Sequence, residues 1–423
     1  MLILATKIKM ILEEHNRVAN VNAPEERFEN LSLVSWSKPF DSSPWGYYAS
    51  YRIGAEWVDD KEQLIVTPKR EMRRIDFLSM FMTCFSSNLA IDSFSNIYEI
   101  DFDQPPISAP SLRTVVSPLI VLHFLGIVSR IKTLKRGYVH HCENLKKVKG
   151  HIAILKNERL NVSLKRYDRI YCNYDELSVD IPENRILKKA LLFTQRLIDR
   201  MGENRHSYLA IRQKISKCLM LFENVSDDVG LRDVKLIKGH KLYRDYAEAI
   251  RLAKMVLRHF DYSINKVGEE NGQVVPFVLD MSLLYEHYVY GLLHEAYKDR
   301  IEYQFPGLTG RPDFLYKGVS FKAILDTKYI PRYDVAPLDN DVIRQLSGYA
   351  RDLKILKKLG YECDEDSSTP LVPCIIIYPE ETVGPANPFL GKTLSSLCTN
   401  KVNDLIRFYK IAIPVPCILN SPV

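Results

Sequence analysis

The pattern of apolar and polar positions predicts a short N-terminal helix, then strands, and then a series of helices along the front two thirds of the chain. The predicted segments are a short helix at 3–14, strands at 45–58 and 63–66, and helices at 119–134, 183–200, 207–222 and 241–260. We therefore expect an N-terminal β-rich domain over 1–110, a basic and helical middle region over 111–265, and a further domain over 266–423. The fold class that follows is a multidomain α+β or α/β protein.

Residues 311–329, RPDFLYKGVSFKAILDTKY, have the pattern of a β-hairpin. Asp313 lies beside the first strand, Gly318 marks the turn, and the second strand is expected to span 319–329. Because strand side chains alternate between faces, Asp326 and Lys328 share one face and Thr327 points to the other. The hairpin therefore predicts two carboxylates and one ammonium close together.

This grouping favours metal-assisted hydrolysis of a phosphodiester. Asp313 and Asp326 supply the oxygen ligands that Mg²⁺ prefers, with the Thr327 carbonyl as a third ligand. Lys328 is placed to orient a metal-bound water and to stabilise charge on a phosphate. The structural alternative is that Pro-Asp makes a turn and Asp-x-Lys is an exposed ion pair. Because an apolar run precedes Asp326, the pair is expected at the rim of a core, which favours the metal site.

Two helices beside the hairpin add candidates. A helix is predicted at 280–293, with a capping-type Asp280 at its start and Glu286 among apolar residues. Glu286 is either a solvated surface residue or a further metal or water contact. A second helix is predicted at 341–358; it carries Gln345 and Tyr349, which share a face at i and i+4 and can contact DNA phosphate or brace Lys328.

Together, these motifs resemble the PD-(D/E)xK nuclease core, and more closely the McrC family of modification-dependent, McrBC-type restriction systems. The resemblance rests on the helix with Glu286, Gly-Arg-Pro-Asp-Phe at 310–314, Ile-Leu-Asp-Thr-Lys-Tyr at 324–329, the Gln345 helix and a strand at 371–378. It extends to Leu-Ile-Val-Thr-Pro-Lys at 64–69 and to the Asp-Ile-Pro-Glu-Asn-Arg motif at 180–185.

The resemblance implies a C-terminal endonuclease core in which a mixed central sheet is flanked by helices. It implies Mg²⁺ as the cofactor, with Mn²⁺ as a substitute, and cleavage of methylated double-stranded DNA. It further implies that the N-terminal region docks into a McrB-like hexameric AAA+ GTPase and stimulates its hydrolysis. The alternatives are a stand-alone RecB-like nuclease with the same core, and a non-catalytic activator or scaffold of the NTPase ring.

Composition refines this interpretation. The chain has 423 residues, is 46% hydrophobic and 26% charged, and carries a net charge of +6, which is ordinary for a globular protein. Residues 130–169 contain twelve Lys or Arg against three Asp or Glu, a local excess of +9. This segment is either a surface for nucleic acid or an acidic protein, or a solvated basic face.

Other motifs are excluded by spacing. The eight cysteines form no Cys-x-x-Cys pair and no signal peptide is evident, so we expect reduced thiols in a cytoplasmic protein. The longest apolar run, 119–128, is too short to span a bilayer, so no membrane partner is expected. The Gly-Lys-Thr at 391–393 lies two residues too far from Gly384 for a phosphate loop. We therefore expect no nucleotide to bind this chain itself.

Overall fold

The computed structural model describes most of the chain as a mixed α/β protein. The described residues are 8–19, 21, 23–38, 43–84, 97–101, 104–201, 206–230, 244–265, 273–331, 333, 339–361, 371–381 and 387–417. The chain divides into two compact units, one formed by Met1–Leu119 with Glu269–Val423 and the other by Ile120–Gly268. The division into three domains stays a prediction.

The strands belong to several separate sheets. In chain order they are β1 Ile8–Glu13, β2 Val34–Ser37, β3 Gly46–Ala49, β4 Arg52–Trp57, β5 Glu62–Thr67, β6 Tyr98–Ile100, β7 Ile107–Ser108, β8 Gly137–Leu145, β9 His151–Ile152, β10 Ile170–Ser178, β11 Gln273–Val274, β12 Phe277–Asp280, β13 Ile301–Tyr303, β14 Phe314–Lys317, β15 Lys322–Thr327, β16 Cys374–Glu381, β17 Asn400–Lys401 and β18 Phe408–Val415.

The helices range from single turns to more than five turns. In chain order they are α1 Glu26–Glu29, α2 Phe77–Cys84, α3 Arg113–Arg130, α4 Ile154–Asn157, α5 Pro182–Met201, α6 His206–Leu221, α7 Arg244–Asn265, α8 Met281–Tyr297, α9 Asn340–Tyr349, α10 Leu353–Lys358 and α11 Leu394–Leu397. Among the described residues, none of these helices is long and apolar enough to cross a membrane.

The first unit contains a five-stranded sheet in the order β1-β5-β4-β12-β6. Strand β1 runs parallel to β5, and the other neighbours in this sheet are antiparallel. The helix predicted at 3–14 is therefore wrong over its described part, because pairing with β5 satisfies the main chain of Ile8–Glu13 as a strand. The strands predicted at 45–58 and 63–66 are confirmed as β3, β4 and β5.

The same unit contains a six-stranded mixed sheet in the order β13-β14-β15-β16-β18-β17. Strands β15, β16 and β18 are parallel neighbours, while β13, β14 and β17 pair antiparallel. The sheet is central to a core whose fully buried members include Leu315, Ile324, Leu346 and Ile376. Burial on this scale supplies most of the stabilisation of such a sheet.

The predicted hairpin is confirmed, with a shorter second strand. Phe314 pairs with Leu325 and Lys317 with Lys322, so residues 318–321 form the loop. Gly318 lies in this loop as predicted, whereas residues 319–321 were predicted as the start of the strand. The strand predicted at 371–378 is found slightly later, as β16. A single helix at 341–358 is wrong: α9 ends at Tyr349, and Asp352 caps a new helix by accepting hydrogen bonds from Lys354 N and Ile355 N.

The second unit combines a small sheet with long helices. Strand β10 lies between β8 and β9 in an antiparallel sheet. Strands β8 and β9 belong to the basic segment and β10 directly follows it, and most side chains of the three strands are exposed or half-buried. The helices predicted at 183–200, 207–222 and 241–260 are confirmed as α5, α6 and α7 over their described residues. Helix α5 packs against α6 and α7 through its apolar face.

Candidate metal-dependent active site

Asp326 lies at the end of a buried central strand. Strand β15 is flanked by β14 on one side and by the parallel strand β16 on the other, where Asp326 is in register with Ile376. Only 1% of Asp326 is exposed. Its Oδ2 atom is buried and has no hydrogen-bond partner of acceptable geometry, although Lys328 Nζ lies 2.5 Å away. The exposed ion pair considered from the sequence is thus replaced by a buried one.

Asp313 lies opposite Asp326, just before β14. The pairing of Phe314 with Leu325 places these two carboxylates in neighbouring positions of the hairpin. Asp313 Oδ2 accepts hydrogen bonds from Thr327 N at 2.6 Å and from Thr327 Oγ1 at 2.5 Å. Thr327 therefore orients Asp313 through its amide and hydroxyl groups, while its carbonyl as a metal ligand stays a prediction.

The two aspartates have raised pKa values. Burial, followed by the neighbouring Asp326 and Glu286 carboxylates, raises the pKa of Asp313 well above its ordinary value. Burial also raises the pKa of Asp326, against the opposing effect of Lys328. Two acids that resist ionisation in the absence of a cation are typical of sites that bind a positive charge.

Lys328 completes the group. Burial alone would lower the pKa of Lys328, but the adjacent Asp326 carboxylate raises it, so the ammonium form is favoured. Its main chain is fixed, since Lys328 N donates to Ile377 O at 2.9 Å. The predicted convergence of Asp313, Asp326 and Lys328 is present in the structure, while their catalytic roles stay predictions.

Glu286 is held inside the protein by a residue that the sequence did not single out. Glu286 is 8% exposed, and its Oε1 accepts a hydrogen bond from Gln304 Nε2 at 2.8 Å. Gln304 N also donates to Asp313 O at 2.9 Å, so Gln304 connects Glu286 to the main chain of Asp313. Burial raises the pKa of Glu286. The left-handed main chain of Gln304, with φ of 44°, was not recognisable from sequence.

The pair Gln345 and Tyr349 braces the segment before Asp313. Gln345 Nε2 donates to Tyr349 Oη at 2.9 Å, and Tyr349 Oη donates to Arg311 O at 3.2 Å. Gly310 has a φ of +146°, and a Cβ there would lie 2.9 Å from Tyr349 Cε1. Glycine is therefore required both by the backbone and by the close approach of the tyrosine.

The donor set suits a divalent cation that keeps most of its water ligands. Among the described residues, no three His, Cys, Asp or Glu side chains form a group arranged to hold a metal. Mg²⁺ commonly needs only one or two carboxylates besides water and substrate phosphate. The Asp313–Asp326 pair fits that requirement, because the two carboxylates lie opposite each other in the hairpin and Asp326 Oδ2 accepts no hydrogen bond from an amide or hydroxyl group of the described residues. Glu286 as a further metal contact stays a prediction.

The fold and this site define a mixed α/β protein with a buried acidic pair at the end of a sheet strand. The family model of McrBC 5-methylcytosine restriction system components matches residues 53–349. The chain belongs to this family, as the motifs of the hairpin and its flanks predicted.

Two solved structures are similar at low identity. A chain in the refined half-complex of Thermococcus gammatolerans McrB AAA+ hexamers with bound McrC is 14% identical, over 97% of this chain and 95% of that chain, with a TM-score of 0.36. A chain in the cryo-EM structure of the Thermococcus gammatolerans McrBC complex is 15% identical, over 67% of this chain and 87% of that chain, with a TM-score of 0.28. A search of curated proteins found no match.

Proposed function

We propose that this protein is the Mg²⁺-dependent endonuclease subunit, of McrC type, in a modification-dependent restriction complex. The observation that carries the proposal is the meeting of Asp313, Asp326 and Lys328 at the buried end of β15. Membership of the McrBC 5-methylcytosine restriction system family supports it.

The surroundings of the hairpin support a PD-(D/E)xK core. The antiparallel pair β14 and β15 supplies the acids, β16 runs parallel to β15, and α8 carries Glu286 toward the same site. Helix α9 follows the hairpin and packs on β15. This order of elements is the one that the motif resemblance implies for such nucleases.

The acidic pair is the proposed Mg²⁺ site, with Mn²⁺ as a substitute. Asp313 and Asp326 would hold the ion, with the Thr327 carbonyl and Glu286 as further contacts. When bound, such an ion supplies Lewis-acid polarisation of a phosphate and an acidified water. Because both carboxylates have raised pKa values, protons compete with the metal, and we expect its affinity to rise with pH through the acid range.

The residues around the acidic pair have separate roles in the proposed mechanism. Lys328 holds an ammonium beside Asp326, where it orients the attacking water and stabilises negative charge developing on the scissile phosphate. Thr327 fixes the rotamer of Asp313 through two hydrogen bonds. Gln345 and Tyr349 act at a distance, by holding the turn at Gly310–Arg311 that leads into Asp313.

The proposed partner is a McrB-like AAA+ GTPase hexamer, and the proposed substrate is methylated double-stranded DNA. The family description names 5-methylcytosine, and the Thermococcus gammatolerans assembly contains McrC bound to McrB AAA+ hexamers. In this arrangement the ring recognises and translocates DNA, and this chain cuts it. Docking through the N-terminal region, stimulation of the GTPase, a cytoplasmic location and the absence of nucleotide binding by this chain remain parts of the same proposal.

The test is cleavage of methylated and unmethylated plasmid by the full chain with its cognate AAA+ NTPase, nucleotide and Mg²⁺. We expect Asp326→Ala and Lys328→Ala to assemble with the partner and to lose cleavage by about a thousandfold or more. Asp341→Ala is the matched control, because the Asp341 side chain is 84% exposed and pairs only at the surface with Arg344.

The outcomes separate the alternatives. Robust cutting by this chain alone would favour a stand-alone nuclease of the same core. Full activity of the complex with Asp326→Ala would contradict the proposed site and favour a non-catalytic activator of the ring.

A further inference from the structure

The N-terminal sheet reaches the end of β15 through Lys69. This residue closes the Leu-Ile-Val-Thr-Pro-Lys segment at 64–69, two residues after β5 ends. Lys69 Nζ donates a hydrogen bond to the main-chain carbonyl of Tyr329 at 2.9 Å. Tyr329 directly follows Lys328. A residue 260 positions earlier in the chain therefore fixes the peptide next to the proposed catalytic lysine.

Lys69 is surrounded by two aromatic rings and a buried glutamate. Its Nζ lies 4.2 Å from the ring centre of Tyr329 and 5.3 Å from that of Tyr51, so two aromatic rings flank the ammonium. Lys69 N donates to Glu14 Oε2 at 2.9 Å, and Glu14 is 3% exposed. Burying a lysine and a glutamate together is costly unless both are paired.

The contact from Lys69 also fixes the peptide that follows Lys328 in the chain. Strand β16 holds Lys328 N through Ile377 O, and Ile330 N donates to Lys328 O at 2.8 Å. The pairing of β15 with β16 runs to Thr327, and the bond from Lys328 N extends it by one residue. Lys69 Nζ donates to the carbonyl of Tyr329, the residue after Lys328. The Tyr329 ring packs against the buried ring of Tyr285, with 6.1 Å between the ring centres.

We infer that Lys69 is a positioning residue for Lys328, so that the N-terminal sheet is part of the active site. This inference rests on the proposed function. Lys69 does not act as a second catalytic lysine, because its ammonium is committed to the Tyr329 carbonyl and enclosed by two rings. It sets the main chain from which the Lys328 side chain reaches Asp326.

The experiment compares Lys69→Met with wild type in the complete complex with the AAA+ NTPase. Methionine keeps the apolar stem of lysine and removes the donor. We expect the cleavage rate constant under saturating DNA to fall about 10- to 100-fold, because a displacement of about 1 Å at a catalytic group has an effect of that size. The KM for DNA and the binding of Mn²⁺ should stay near wild type, since Asp313 and Asp326 are untouched.

Two further variants separate positioning from simple support of the fold. Lys61→Met is the matched control, because Lys61 is exposed in the loop before β5. Lys69→Arg restores a charged donor and should recover part of the lost rate, without a change in KM. If Lys69→Met does not fold, Lys69→Gln, which keeps a donor at a shorter reach, takes its place with the same expected split between rate constant and KM.

Failure of this inference is distinguishable from failure of the proposed function. If Lys328→Ala loses cleavage while Lys69→Met cuts like Lys61→Met, Lys69 is not a positioning residue and the proposed function stands. If Lys328→Ala cuts like wild type, the proposed function fails and the inference fails with it. Parallel losses of rate, DNA affinity and metal binding in Lys69→Met would show a general structural role instead, which also overturns the inference.

Discussion

Two buried aspartates of the C-terminal part of the chain, Asp326 and Asp352, have opposite surroundings. Asp352 is 3% exposed, and its carboxylate accepts five hydrogen bonds, from Leu308 N, Thr309 N, Thr309 Oγ1, Lys354 N and Ile355 N. Asp326 is 1% exposed, and its buried Oδ2 has the Lys328 ammonium, 2.5 Å away, as its neighbour in place of a set of amide donors. Both side chains expose almost no surface to water, so exposure alone does not distinguish them.

The difference in partners separates structure from chemistry. Burial opposes ionisation of Asp352, but the hydrogen bonds from the Thr309 and Ile355 amides outweigh it and lower the pKa of Asp352. Burial raises the pKa of Asp326, and the ammonium of Lys328 only partly offsets it. Asp352, with its five donors, holds a loop and a helix together, whereas Asp326, with the Lys328 ammonium as its one close charged neighbour, is the acid for which we propose a metal ion.

Removing the satisfied acid should have the largest effect on stability. Asp352→Ala strips the cap from α10 and leaves the amides of the loop at 308–309 without an acceptor, so we expect the free energy of unfolding to fall by about 3 to 5 kcal/mol. Urea unfolding measures this. Asp339→Ala is the control, because Asp339 caps α9 through one bond to Asp341 N and should cost only about 1 kcal/mol. Equal losses of unfolding free energy in the two variants would contradict the view that Asp352 is a structural acid with five stabilising hydrogen bonds.

Glu14 is an intermediate case, a buried acid whose Oε2 accepts from Lys69 N while its Oε1 has no hydrogen-bond partner. Burial raises the pKa of Glu14 to about 7, against the opposing charge of Lys69. The unfolded state ionises near 4.5, so the folded state holds the proton more tightly, and stability is lost as the pH rises from about 4.5 to about 7.

Glu14→Gln should remove the loss of stability that Glu14 causes as the pH rises. Between pH 5 and pH 8 we expect the free energy of unfolding of the wild type to fall by about 2 to 3 kcal/mol more than that of the variant. Urea unfolding at several pH values gives both curves. Parallel curves would show that Glu14 is ionised in the folded protein and satisfied in the manner of Asp352.

Asp313→Asn should have a smaller effect on the free energy of unfolding than Asp352→Ala, and it should raise this free energy where Asp352→Ala lowers it. The amide oxygen of asparagine still accepts from Thr327 N and Thr327 Oγ1, while the costly charge beside Asp326 disappears. In EDTA at neutral pH we therefore expect the variant to be more stable than wild type by about 1 kcal/mol, yet inactive in cleavage. Asp341→Asn, at an exposed position, should change neither quantity; a destabilised Asp313→Asn would argue that Asp313 is a structural acid.

Local signals in the sequence predicted the part of the site that lies within one stretch of chain. The alternation of apolar residues gave the hairpin of β14 and β15, and the capping pattern placed the start of α8 at Asp280. Because Asp313, Asp326 and Lys328 lie within that single hairpin, their proximity follows from strand geometry alone. The apolar run before Asp326 predicted that the Asp326–Lys328 pair lies at the rim of a core.

The parts that depend on distant pairing did not follow from the sequence. Residues 8–13 have no local feature that shows pairing with β5, so a helix was predicted where a parallel strand forms. The break between α9 and α10 depends on Asp352, which caps the new helix and binds the loop at 308–309. The contact from Lys69 to Tyr329 joins residues from different sheets, and a periodic pattern carries no information about such contacts.

The most direct test of the central claim is divalent-metal binding by the full chain, measured by calorimetry with Mn²⁺ and Mg²⁺. If Asp313 and Asp326 form the metal site, wild type binds the ion, Asp326→Asn loses at least about tenfold in affinity, and Asp352→Asn binds like wild type at a temperature where it is folded. Unchanged binding by Asp326→Asn, or a loss confined to Asp352→Asn, would contradict the account.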